Sequence, residues 1–147
     1  MGMGHVPQDP LRAEGPGPDV QGRQRRGTSL DRDLDLSRNA RGRWGEDQAA
    51  RWYLHAGYDI VIRNWRVRAG EIDLIASRLG VIVFAEVKTR ATDAFGDPST
   101  AVTASKQARL RRLAAQWLAE SGVHAVDLRF DVVSVLGVRV RVIEAAF

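Results

Sequence analysis

The chain has 147 residues, enough for one domain with a tail, and a hydrophobic content of 44%, enough for a core. It contains no cysteine, which excludes a disulfide framework and any thiolate metal site, and its three histidines (His5, His55 and His124) are too scattered to suggest zinc. No apolar run reaches membrane-spanning length, so the sequence reads as cytoplasmic, and a net charge of +4 favours a polyanionic partner.

Residues 1–40 read as a disordered tail, rich in Gly, Pro, Arg and Asp and poor in periodic apolar positions. Six arginines there balance five aspartates and Glu14, so the positive excess falls on the remainder, 41–147, read as the folded domain. Arg23, Arg25 and Arg26 form a small basic cluster in this tail.

The spacing predicts a first helix over 44–56, with Ala49, Ala50, Tyr53 and Leu54 as its apolar stripe and Gly57 as its stop. Glu46 lies one turn before Ala49 and Ala50, on the core-facing side. The helix dipole alone would also favour an acid in a first turn. A first strand follows over 58–65, with Ile60 and Ile62 on one face. Arg63, Arg66 and Arg68 beside Trp65 suit phosphate and base contacts, and equally suit a solvated strand end.

The stretch 70–90 carries the chemistry. Ile72, Leu74 and Ala76 alternate with Glu71, Asp73 and Ile75, and 81–87 is a nearly unbroken apolar run, as in a buried strand. Asp73, Glu86 and Lys88 interrupt this apolar setting, and buried charges are costly unless paired or bound to a metal. Glu86 and Lys88 are two apart and share a strand face. In a hairpin with a four-residue connection over 78–81, Asp73 stands opposite Glu86; with a two-residue connection, Arg78 and Leu79, it stands opposite Phe84. Either even-length connection brings two carboxylates and one ammonium together, a pairing that calls for a divalent cation, whereas an odd-length one would turn Asp73 to the other face.

A polar loop over 91–100 leads to a second helix over 103–121, capped by Thr103, stopped by Gly122 and apolar along Leu110, Leu113, Ala114, Trp117 and Leu118. Lys106, Arg109, Arg111 and Arg112 make it basic. The chain has twenty arginines and only two lysines, Lys88 and Lys106. Lysine at the candidate site fits a compact donor whose pKa can shift, and the shared rarity suggests that the start of the second helix faces the same site. Two strands close the chain: one over 128–136, with Leu128, Phe130 and Val132 on one face, and, after Gly137, one carrying Val138, Val140 and Val142. Arg129 and Asp131 face away from Phe130 and read as a structural ion pair rather than as a brace behind the site residues.

An acid on one strand followed by Glu-x-Lys on the next resembles the core motif of the PD-(D/E)xK nuclease superfamily. The ordered set Gly45-Glu46, Tyr53-Leu54, Gly57-Tyr58, Arg63-Asn64, Gly70-Glu71-Ile72-Asp73, Glu86-Val87-Lys88 and Arg129-Phe130-Asp131 resembles the YraN-like bacterial family. That family is related in fold to archaeal Holliday-junction resolvases. The resemblance runs from about Gly42 to the C-terminus. It implies a restriction-endonuclease-like α/β fold, agreeing with the order helix, three strands, helix, two strands: a mixed sheet of about five strands flanked by helices. It further implies that Glu46 is a third acid of the site, that DNA, including branched DNA, is the substrate, and that a homodimer forms.

Three readings of function follow. In the first, a metal-dependent endonuclease, Asp73, Glu86 and Glu46 hold Mg²⁺ or Mn²⁺ with the Val87 carbonyl, and Lys88 orients the attacking water. In the second, the same fold binds nucleic acid without cutting it. In the third, it is a scaffold without divalent binding or salt-dependent DNA affinity.

Overall fold

A hairpin at the centre of the sheet sets the architecture. The computed structural model describes residues 29–92, 96–97, 100 and 102–147; the arginine cluster at 23–26 lies outside them. Strand β2 (Gly70–Arg78) turns back into β3 (Val81–Arg90) through Leu79 and Gly80. Both turn residues have positive φ, 50° and 81°, the type I′ signature that matches the twist of flanking strands. The register pairs Arg78 with Val81 and continues to Leu74 with Ala85, which aims Asp73 at Glu86.

Around this hairpin, β1 (Asp59–Val67) pairs antiparallel with β2, and β4 (Asp127–Leu136) runs parallel to β3. The last strand, β5 (Arg139–Ile143), pairs antiparallel with β4. The result is the expected mixed five-stranded sheet, in the order β1-β2-β3-β4-β5. Helix α1 (Ser29–His55) packs on one face through Ala49, Ala50 and Tyr53 against Leu74, Val83, Ala85 and Val133. Helix α2 (Ala104–Ser121) covers part of the other through Leu110, Leu113 and Trp117 against Ile72, Phe84 and Val132. Each fully buried aliphatic side chain in these layers contributes about 1.5–3 kcal/mol.

Three local expectations are corrected. Residues 29–40, read as tail, are helical, and α1 begins at Ser29. The segment contains neither Gly nor Pro, both abundant before residue 28, and it offers Leu, Arg and Ala as helix formers with aspartates near the N-terminus. Leu54, assigned to the apolar stripe, is 55% exposed. Ile60 and Ile62, expected on one face, lie in opposite layers, because a bulge at Val61 shifts the β1–β2 register.

Ile72 and Leu74 likewise lie in opposite layers although they are two residues apart. The β1–β2 pairing passes from Arg63–Leu74 to Trp65–Ile72, skipping Asn64 and Asp73, and Asn64 has φ +52°. Strand alternation therefore breaks at Asp73, and this break builds the site.

Candidate active site

At the break, Asp73 leaves the ladder toward β3, and its Oδ2 accepts a hydrogen bond of 2.8 Å from the Val87 backbone N–H. An Asp side chain thus takes the place of a ladder contact just past the last β2–β3 pair, Leu74 with Ala85. Glu86 and Lys88 share the face of Phe84, the α2 side, as alternation requires. Glu86 is only 8% exposed in its side chain. Both lysines of the chain converge on its Oε1: Lys88 Nζ at 3.3 Å, and Lys106 Nζ, which donates a hydrogen bond from the first turn of α2. Thr103 caps that turn by accepting from the Lys106 backbone N–H, which fixes where Lys106 begins.

Charge crowding follows from this geometry. Burial first, and then the Glu86 charge, push the Asp73 carboxyl up to about 7, partly offset by the Val87 hydrogen bond. Burial and the neighbouring Lys106 lower the Lys88 pKa. Burial is the largest single influence on Lys106 and lowers it, but hydrogen bonds to Glu86 and Lys88 together with the Glu86 and Asp73 charges outweigh it, and the net direction is upward.

Glu46, in mid-helix α1, lines the same cleft, and its Oε2 accepts from Asn64 Nδ2 at 2.9 Å. Because α1 begins at Ser29, Glu46 is far from the helix N-terminus and the dipole does not account for it. Gly45 allows its placement: a Cβ there would lie 3.1 Å from Thr89 Cβ on β3, so only glycine admits this close approach of helix to strand.

Glu46, Asp73, Glu86, Lys88 and Lys106 together line a cleft of about 430 Å³, flanked by Arg38 and Arg41. Arg38 falls in the stretch 1–40 that reads as tail and Arg41 at the start of the domain; the lack of Gly and Pro over 29–40 is the signal that Arg38 belongs to a helix. A smaller neighbouring cleft carries Asp73, Glu86 and Lys106 on to Arg109. Among the described residues, no three His, Cys, Asp or Glu side chains form a ready ligand cage. The donors that meet are the pair Asp73 and Glu86. Hard carboxylate oxygens, mutually repelling in an open cleft, fit a hard divalent cation, and no sulfur or imidazole favours a softer metal.

Arg129 and Asp131 stand apart from the cleft. Asp131, fully buried, accepts from Tyr53 Oη at 2.7 Å, from Arg129 Nε and Nη2 at 2.9 Å each, and from the Ala145 N–H at 3.0 Å. These bonds tie α1, β4 and the C-terminal segment together, a structural role as expected. Burial first, and then the Asp131 charge, push the Tyr53 hydroxyl pKa upward, so Tyr53 remains a donor.

Among the described residues, no helix is long and apolar enough to cross a membrane. The family model described as "Uncharacterised protein family UPF0102" matches residues 45–135. A UPF0102 protein of Beutenbergia cavernae is 52% identical over 103 residues, covering 70% of this chain and 87% of its own. One from Rhodococcus jostii is 54% identical over 97 residues (66% and 82%), and one from Symbiobacterium thermophilum 53% over 94 (64% and 80%). The match begins at Gly45, the residue that lets α1 approach β3, and spans every acid and lysine of the cleft; the chain belongs to the UPF0102 family, the YraN-like group whose motifs it carries.

Proposed function

We propose that this protein is a cytoplasmic metal-dependent endonuclease that hydrolyses DNA phosphodiester bonds. The observation that supports it most is that Asp73 and Glu86 line one cleft just past the β2–β3 pairing and close enough for their charges to interact, with Lys88 beside them. Asp73 and Glu86 would hold Mg²⁺ or Mn²⁺, with Glu46 joining directly or through water. When bound, such an ion supplies Lewis-acid polarisation of the phosphoryl oxygen and a water of lowered pKa. Lys88 orients the attacking water and offsets charge on the phosphoryl oxygens. Its lowered pKa eases passage between ammonium and amine. Arg38 and Arg41 on α1, and Arg109 on α2, flank the acids and suit contacts to the phosphates on either side.

One observation favours a second reading, a DNA-binding module without cleavage: Glu86 is already matched by two ammonium groups, so its charge is neutralised by the protein itself. The test is incubation with labelled linear, flapped and four-way-junction DNA, with and without Mn²⁺, using Glu86→Ala as control. Mn²⁺-dependent cleavage lost in the variant supports the enzyme and identifies its substrate shape. DNA binding without cleavage, equal in both proteins, supports the module.

A further inference from the structure

Among the described residues, helix α2 covers only part of its sheet face. It covers Ile72, Ile75, Ile82, Phe84 and Val132, whereas the C-terminal halves of β3 and β4, and β5 beside them, carry polar side chains on that same face. The register arranges these in two cross-strand rows. Lys88 stands beside Ser134, which stands opposite Arg141; Arg90 stands beside Leu136, which stands opposite Arg139. Directly paired residues share a face, so both rows project to the α2 side, continuous with Glu86. A second cleft of about 460 Å³ lies there, lined by Arg90, Gly96, Ser134, Leu136, Arg139 and Arg141. Two contacts bring the 96–97 segment beside it: Arg90 Nη1 donates to the Gly96 carbonyl at 3.0 Å, and Asp97 Oδ2 lies 3.8 Å from Arg141 Nη2. The latter is a surface ion pair long enough to contribute little.

We infer that this half-face is a second docking surface, which holds the phosphodiester backbone of a DNA strand beyond the reacting bond. The inference rests on the nucleic-acid reading proposed above and extends it to residues outside the acidic cleft. Charge and position argue for this occupant. The first row starts at Lys88 itself, and Arg141 stands two strands away, about 10 Å at the usual strand spacing. That distance is roughly three nucleotides along a duplex strand rising 3.4 Å per nucleotide. A strand whose phosphate reaches Lys88 therefore passes over Ser134 and the arginines if it runs toward β5. A regular sheet face holds such guanidinium groups at fixed spacing, as a polymer of evenly spaced anions requires.

The test is fluorescence anisotropy of labelled DNA in EDTA, which requires no cleavage, with the full chain titrated over a range of salt. Arg139→Glu with Arg141→Glu is compared with Arg32→Glu with Arg51→Glu, an equal charge change at exposed positions of α1. The first pair should weaken binding at least about tenfold more than the second and reduce the salt slope by about two. Arg139→Gln with Arg141→Gln should show the same direction, and thermal melts establish that each variant folds. Wild-type binding matched by the Arg139/Arg141 variants, or lowered equally by both glutamate pairs, overturns the docking surface alone. Absence of DNA binding by the wild type overturns it together with the nucleic-acid reading.

Discussion

Asp73→Asn should make the metal-free protein more stable at pH 8 and leave it unchanged at pH 4. The Asp73 carboxyl is pushed up to about 7 from an ordinary value of 3.8, first by burial and then by Glu86. Between those values the native state holds a proton that the unfolded chain has released, so stability falls as pH rises through the window from about 4 to 7. At roughly 1.4 kcal/mol per pH unit, the ionised carboxylate costs the fold up to about 4 kcal/mol at pH 8. Asparagine has the same shape, keeps an acceptor for the Val87 N–H and carries no charge, so it removes that cost. For a domain of this size the gain corresponds to a rise in Tm of roughly 10–15 °C. Thermal melts in EDTA at pH 4, 6 and 8 measure it. The two proteins should coincide at pH 4 and diverge above pH 6, and Mn²⁺ should narrow the gap by stabilising only the intact carboxylate pair. Parallel melting curves at all three pH values, or a less stable variant at pH 8, would refute the charge crowding at this site.

Tyr53→Phe removes the hydroxyl that donates to buried Asp131, and should cost about 1.5–3 kcal/mol in denaturant unfolding while leaving Mn²⁺ affinity unchanged; a fall in that affinity would mean the network braces the cleft. Gly45→Ala forces a methyl group to within 3.1 Å of Thr89 Cβ and should cost about 1–3 kcal/mol, with partial recovery on adding Thr89→Ala. An unchanged denaturation midpoint for Gly45→Ala would refute the close helix–strand contact that positions Glu46. Lys106→Ala removes an ammonium that competes for Glu86, so Mn²⁺ should bind several-fold tighter by calorimetry; weaker binding would show that Lys106 instead holds Glu86 in its ligating position.

The sequence revealed regular features more readily than local breaks. Hairpin parity anticipated the register that aims Asp73 at Glu86, and the alternation of Glu86 and Lys88 fixed their common face. The rarity of lysine pointed to Lys106, because a residue retained against a strong arginine bias marks a need for compactness. What escaped depends on departures from periodicity. The bulge at Val61 and the break at Asn64 and Asp73 reverse faces without any Gly or Pro to announce them. Asn64 was the available signal, since Asn tolerates positive φ better than most residues. Averaging composition over 1–40 concealed the change at residue 28, and with it Arg38 and the first turns of α1.

The most direct measurement is calorimetric titration of Mn²⁺ into the DNA-free protein at pH 8, for the wild type and for Asp73→Ala and Glu86→Ala. A carboxylate pair that holds the catalytic cation predicts a saturable site in the wild type that both substitutions abolish. Absence of heat in the wild type, or titrations unaltered by either substitution, would contradict the metal centre and leave Asp73, Glu86, Lys88 and Lys106 as a self-neutralised charge cluster in a DNA-binding fold.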